Sequence, residues 1–336
     1  VICQFLYIHS HPKFHLGIDI IEDIHLNILL YADDIVLISD KPKRLQKMLN
    51  LVTEYARKWR FEMNRKKSQV VSFCKKPRSN HPTWKLGGGT LSTVTCYKYL
   101  GIELTKTLNW RTYLKRITKK ARRNMTKSFA MGIRTGHMSV EMSNNLWQTL
   151  VRPVVEYGSE IWGDCECKEI DKLQLEMGRR ILKCHFTTAR EVIRGELGWW
   201  PMKARRDEMR LRFWARLEHM EDDRIPSMIY RTSKDRLEQE LENVKELTDS
   251  WCVYTRTLLE ELDLLDFWTF GNLPDEDEWA EIIQDRIGER EQRAWRTSVC
   301  ARPKLRTYKH LTEHLQVEEY LLSSKNRFGR YLTTQL

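Results

Sequence analysis

Long apolar runs are missing from this 336-residue chain: none reaches the length that crosses a bilayer. Charged residues make up 31% of it, so the composition predicts a soluble protein of about one to three domains. The opening "VICQFLYI" has neither a basic leader nor a small-residue cleavage site, and no secretion signal is expected. It starts on Val rather than Met, which predicts a piece of a longer reading frame. No internal repeat occurs. A Gly-rich phosphate loop is also lacking, because Gly87-Gly88-Gly89 is without the Lys-Ser/Thr that completes one and reads as a flexible turn. Zinc-type spacing is absent among the eight cysteines. Cys165-Glu166-Cys167 followed by Cys184-His185 fits none of the common ligand patterns, and Cys300 with His310 and His314 lacks a second nearby Cys. No zinc site is expected. The thiols read as reduced, in an intracellular protein of the nucleus and/or cytoplasm.

Acidic residues are scarce in one region. Residues 41–134 hold 25 Lys/Arg against 3 Asp/Glu, within a chain of net charge +11. A basic block of that density is the electrostatic footprint of a polyanion site. Residues 235–292 reverse the balance, with 18 Asp/Glu against 5 Lys/Arg, and read as an exposed helical region with acidic loops such as "GNLPDEDE".

Against this background "LNILLYADDIVLISD", residues 26–40, places two adjacent carboxylates between apolar runs. Each run is short and rich in β-branched residues, which predicts two strands joined by a tight turn at Ala32-Asp33-Asp34. Asp is a common turn residue, but the Gly that usually completes a two-residue hairpin is not there. Both faces are apolar, so the turn is expected at the mouth of a buried sheet. At about 5 Å and an effective dielectric of about 20, two carboxylates repel by ~3 kcal/mol. A divalent cation converts that repulsion into binding, and hard, oxygen-liganded Mg²⁺ is the usual guest.

Around this pair the periodicities predict a mixed unit. Residues 14–40 alternate like strands, with Glu22-Asp23 as a polar turn. Leu45, Met48, Leu49, Val52, Tyr55, Ala56 and Trp59 recur at helical spacing, with Pro42 suited to the first turn. A strand over Gln69 to Phe73, a loop through "KKPRSNHPTWKLGGGT" and a hairpin in "TVTCYKYLGIEL" follow. From about residue 110 the chain turns helical. Trp110, Leu114, Ile117, Ala121, Met125 and Phe129 form one apolar stripe. Lys115, Arg116, Lys119, Lys120, Arg122, Arg123 and Lys127 cover much of the rest, with no local acid to offset them. Such a helix docks on a core while its charges face phosphates. Further helices are expected in "SVEMSNNLWQTLV", capped by Ser139, in "CKEIDKLQLEMGRRILKC", and on either side of a break at Gly198 to Pro201. The Trp and Phe residues on either side of that break read as packing.

"YADDIVLI" resembles the Y-x-D-D catalytic hairpin of reverse transcriptases, in the form found in non-LTR (LINE-type) retrotransposons. The order after it also fits. "FEMNRKKSQVVSF" is similar to the family's Asn-x-x-Lys-Ser/Thr strand motif, "YKYLGI" to its primer-grip hairpin, and "LWQTLVRPVVEYGSEIW" to its helical thumb segment. The resemblance implies an α+β chain. Residues 1–105 are a partial palm (an antiparallel sheet with a packed helix), 106–165 thumb-like helices, 166–235 a helical extension, and 236–336 an acidic then basic helical region. It implies RNA-directed DNA polymerase chemistry on an RNA template and DNA primer, using deoxynucleoside triphosphates and Mg²⁺, with Mn²⁺ as the alternative. Asp33 is then the metal ligand and Asp34 its companion. Tyr31 and Ala32 lie under the primer end, Lys67 assists the departing pyrophosphate, and Tyr99, Leu100 and Gly101 position the primer. The basic helix tracks the duplex. One departure matters: the family's third carboxylate comes from a strand well upstream, and Asp19 and Asp23 are too close in sequence to fill that role. The chain is therefore expected to be a C-terminal half that does not polymerise DNA alone. The alternatives are a non-catalytic nucleic-acid-binding relic or domesticated protein, and an intron maturase or other palm-domain polymerase.

Overall fold

A computed structural model describes residues 16–21, 24–73, 82–133, 138–242 and 250–323. The chain divides into two compact units, residues 1–110 and 111–336. The first mixes small sheets with a helix and the second is helical, an α+β chain as the sequence predicts. Among the described residues no helix is long and apolar enough to cross a membrane.

In the first unit, β1 (Ile18–Ile21) pairs antiparallel with β2 (Ile24–Leu26). The predicted Glu22-Asp23 turn lies outside the described residues. β3 (Ile28–Tyr31) pairs antiparallel with β4 (Asp34–Leu37), in the register Ile28↔Leu37, Leu30↔Ile35 and Tyr31↔Asp34. Helix α1 (Pro42–Trp59) starts on Pro42, whose missing N–H falls where a helix has no internal partner for it. It ends at Arg60, in the left-handed region at φ 58°. The spacing read from the sequence buries Met48, Leu49, Val52 and Ala56. One side of that face meets Ile28, Leu30, Ile35 and Leu37 of the β3–β4 hairpin.

The other side of α1 meets a sheet that the sequence concealed. β5 (Gln69–Val71), β6 (Trp84–Leu86) and β7 (Gly89–Val94) form a three-stranded sheet in the order β5-β7-β6, with β5 parallel to β7 and β6 antiparallel. The loop expected through residues 75–90 thus holds strand at Trp84–Leu86 and again from Gly89; residues 74–81 lie outside the described residues. Trp84 and Leu86 point into the core while Lys85 points out. The Gln46 side chain bonds both the N–H and the C=O of Lys85, at 2.9 Å each, and so stands in for a neighbouring strand. Gly87 and Gly88, expected as a flexible turn, close a two-residue loop with φ 54° and 80°. A last hairpin joins β8 (Cys96–Tyr99) to β9 (Ile102–Thr105).

The second unit opens with α2 (Arg111–Ser128), which runs into a wider π-type turn at Phe129–Ile133. After it come α3 (Val140–Leu146), a second π-type segment, α4 (Arg152–Glu156), α5 (Ser159–Trp162), α6 (Lys168–Leu182) and α7 (Arg190–Glu196). Ser139 caps α3 as predicted, its Oγ accepting from the Met142 N–H at 3.1 Å. The run continues with α8 (Met202–Glu218), α9 (Ile225–Glu242), α10 (Trp251–Glu261), α11 (Leu265–Phe270) and α12 (Glu276–Cys300). Short helices α13 (Tyr308–Leu311) and α14 (Glu319–Ser323) close it. Trp199 and Trp214 are buried packing residues, as expected. Trp162 and Trp214 are fully buried, and Trp147 stacks on Trp199 with centroids 5.3 Å apart.

One acidic segment needs correction. "PDEDE" is no loop but the start of α12: the Asp275 side chain accepts from the N–H groups of Asp277 and Glu278. Glu276, Asp277 and Glu278 fill the first turn, where the helix dipole favours negative charge.

Candidate functional site

Strand alternation decides what the β3–β4 hairpin offers. Ile28, Leu30, Ile35 and Leu37 share the face packed on α1. Leu29, Tyr31, Asp34 and Val36 share the opposite face, with Tyr31 and Asp34 directly paired across the strands at its tip. That face is not covered as expected: Leu29 and Val36 are half-buried, and Tyr31, Ala32, Asp33 and Asp34 are all exposed. The reason is topological: among the described residues β3 and β4 form a two-stranded sheet with no third strand. The turn is also tighter than predicted. Asp34 belongs to β4, so Ala32 and Asp33 alone make the loop.

Ala32 sits at φ 50°. A positive φ at the first loop position is the type II′ pattern, where glycine is usual and a side chain is strained. Residues held in such conformations collect at functional sites. Ala32→Gly is expected to raise stability by about 0.5–1 kcal/mol, read from the urea midpoint. A lowered midpoint would mean that no strain is stored there.

Two further motifs lie in the same unit. Leu100 and Gly101, at φ 45° and 86°, form the two-residue turn between β8 and β9, and Gly is the residue that takes the second of these conformations freely. Tyr99 pairs with Ile102 at the mouth of that turn. Partial burial raises the pKa of the Tyr99 phenol, and the negative charge of Asp34 raises it further. Of the two carboxylates, Asp34 is the one that acts on the Tyr99 phenol.

The Asn-x-x-Lys-Ser stretch folds as a compact turn. The Asn64 side chain accepts from the Lys67 N–H at 3.2 Å, and the Asn64 carbonyl takes the Ser68 N–H and hydroxyl at 3.0 and 2.9 Å. Lys67 is exposed. Its carbonyl accepts from the Tyr97 hydroxyl at 3.2 Å, which ties the turn to the strand that carries Tyr99. Tyr97 and Asn64 were not singled out from the sequence, although Asn at the head of a turn is a recognisable signal.

Asp33 and Asp34 offer hard carboxylate oxygens suited to Mg²⁺. Among the described residues, no three His, Cys, Asp or Glu side chains gather into a group that could hold a metal ion. Asp19 is engaged by His25 across the β1–β2 pair, and Asp23 lies outside the described residues.

The second candidate site is α2, in the helical unit. Its stripe is as predicted: Leu114, Ile117, Ala121 and Met125 are buried, followed by Phe129, while Trp110 is half-buried. Tyr113 joins them, its hydroxyl donating to the Tyr157 carbonyl at 2.7 Å, and burial pushes its pKa up to about 12. Lys115, Lys119, Lys120, Arg123 and Lys127 are exposed and make no ion pair among the described residues. Two cations are already engaged. Arg116 is half-buried with its guanidinium 5.4 Å from the Tyr113 ring. Arg122 pairs with Glu176 of α6, so the charge is not entirely without an offset.

Residues 13–104 match the family model described as reverse transcriptase (RNA-dependent DNA polymerase). The chain is 25% identical over 162 residues to the RNA-directed DNA polymerase from mobile element jockey of Drosophila funebris, covering 46% of this chain and 18% of that protein. It is 23% identical over 176 residues to the probable RNA-directed DNA polymerase from transposon X-element of Drosophila melanogaster, covering 50% and 19%. With the probable RNA-directed DNA polymerase from transposon BS of the same fly, identity is 27% over 157 residues, covering 44% and 17%. The matched stretch spans less than a fifth of each relative's length. No solved structure matches the chain.

Proposed function

We propose that this relative of the non-LTR retrotransposon reverse transcriptases carries the Y-x-D-D part of an RNA-directed DNA polymerase centre in a partial palm, residues 1–105. Thumb-like helices, residues 106–165, grip the template–primer duplex, and the helical regions 166–235 and 236–336 extend it. The observation that carries the reading is the match of residues 13–104 to the reverse transcriptase family, with Tyr31, Ala32, Asp33 and Asp34 exposed at the tip of a two-stranded hairpin.

On this reading Asp33 and Asp34 would hold Mg²⁺, with Mn²⁺ as the alternative. The bound ion supplies the positive charge that offsets the carboxylates and a deoxynucleoside triphosphate. Tyr31 and Ala32 form the floor beneath the primer end. Tyr99 and the Leu100-Gly101 turn seat that end against the carboxylates, and Lys67 offers a cation or proton to the departing pyrophosphate. The exposed cations of α2 track the phosphate backbone of the RNA–DNA duplex, by shape and charge rather than sequence.

Two carboxylates bind a metal weakly but do not assemble a two-metal clamp. Primer extension by this chain alone, on an RNA template with Mg²⁺, is therefore expected to give no product. Mn²⁺ added to the chain should broaden the NMR signals of the β3–β4 tip through its unpaired electrons, and Asp33→Asn should abolish the effect. Broadening that persists in the variant, or is absent from the wild type, would remove the metal role from Asp33 and leave a nucleic-acid-binding protein without catalysis.

A further inference from the structure

The loop between α6 and α7 presents the most exposed large apolar side chain among the described residues, Phe186, which is 76% accessible. Its neighbour His185 is exposed too, and the two rings lie 4.2 Å apart between centroids. The loop is held rather than loose. The Thr188 N–H donates to the His185 carbonyl at 3.0 Å, and the His185 Nδ1 meets the Thr187 hydroxyl at 2.8 Å. From α6, the Arg179 guanidinium donates to the Thr188 carbonyl at 3.2 Å. A fixed aromatic surface in water loses little entropy when a flat partner covers it.

What lies beside the loop identifies the partner. Lys115, Lys119 and Arg123 follow one another at four-residue spacing on α2, with Arg122 beside them and Phe129 two turns beyond it. Helix α6 lies along this part of α2. Glu176 pairs with Arg122, and one turn on, the Arg180 guanidinium stands 4.4 Å from the Phe129 ring. The His185-Phe186 loop follows that end of α6 in sequence, with Arg180 and Arg190 on either side, each half-exposed and each paired with a carboxylate, Glu176 and Glu191. Exposed cations on α2 and an exposed aromatic pair following the end of the adjoining α6 suit a strand with phosphates along one edge and flat bases along the other.

We propose that His185 and Phe186 form a stacking platform for an unpaired base of single-stranded RNA, at the end of the phosphate track laid by α2. This rests on the nucleic-acid role proposed for α2. Phosphate contacts on Lys119 and Arg123 hold the strand without regard to sequence, and the rings take whichever base reaches them.

The test uses the full chain, a short oligouridine carrying one 2-aminopurine, and a blunt RNA–DNA duplex. Phe186→Ala should weaken oligouridine binding roughly ten-fold while leaving duplex affinity and the salt slope unchanged. Phe186→Trp should restore binding, together with the 2-aminopurine quenching that reports stacking. The exposure of Phe186 makes misfolding of either variant readable by circular dichroism against the wild type. Lys119→Gln with Arg123→Gln should weaken both ligands. Full oligouridine affinity in Phe186→Ala, alongside a loss in the charge variant, would overturn the platform and leave the α2 role standing. No effect of either variant would remove both.

Discussion

Replacing Lys119, Lys120, Arg123 and Lys127 together with glutamine should lower the slope of log affinity against log salt by about 3 to 4 on an RNA–DNA duplex. Each of these cations is exposed on α2 and free of an ion pair among the described residues. A phosphate that binds one releases the counterion it held, at roughly 0.9 per contact on a double strand. At moderate salt the affinity should drop roughly a hundredfold. Arg122→Gln is the internal control. Glu176 already takes up much of that charge, so the change in slope should be smaller than for Arg123→Gln. Arg116 should also contribute less, because its guanidinium lies beside the Tyr113 ring and is only half-exposed. Fluorescence anisotropy across a salt series measures all of these. An unchanged slope in the quadruple variant would mean that the basic back of α2 is an ordinary solvated face.

The contrast between Arg122 and Arg123 shows what a sequence displays and what it hides. Both cations were visible as part of one basic run, and the apolar stripe that seats them was visible from its spacing. The partner of Arg122 was not, because Glu176 arrives on another helix, 54 residues on. The β3–β4 hairpin was legible for a similar local reason: two β-branched runs flank a break, and pairing between near neighbours needs no distant information. Its exposure was not legible. Apolar residues on both faces predict burial, but only the fold reveals that, among the described residues, no third strand pairs with this hairpin. β6 was missed because three residues between a Pro-rich stretch and a Gly run carry too short a period to recognise, although burial of Trp84 and Leu86 makes them part of the core. The acidic start of α12 looked like a loop because Gly271 and Pro274 precede it. Asp275 followed by three acids is equally the signature of a helix start.

Trp214→Ala should cost the helical unit about 3–5 kcal/mol and lower its melting temperature by roughly 10 °C. Trp214 is fully buried on α8, with the Trp279 and Trp268 rings at 5.4 and 6.0 Å. Its indole N–H donates to the Tyr230 hydroxyl at 2.8 Å, and that hydroxyl donates to Glu218, which also holds Lys234 at 2.8 Å. Burial and the neighbouring Glu218 push the Tyr230 pKa well above the ordinary phenol value, so the hydroxyl keeps its proton and remains a donor. Removing the indole leaves a cavity among aromatic rings that cannot collapse without shifting α11 and α12. Trp214→Phe separates the two contributions. It refills most of the volume but takes away the donor, and should cost about 1–3 kcal/mol for the hydroxyl left short of a partner. Residues nearer the start of α8 serve the core beneath α2 instead: the Arg206 guanidinium stands 5.8 Å from the Trp162 ring and bonds the Gly163 carbonyl. Trp214→Ala should therefore weaken folding while leaving the salt slope of nucleic-acid binding, measured well below the melting temperature, as in the wild type. Equal losses in the Ala and Phe variants would place the stability in the hydrogen-bonded chain from Trp214 to Lys234 rather than in the packing of the rings.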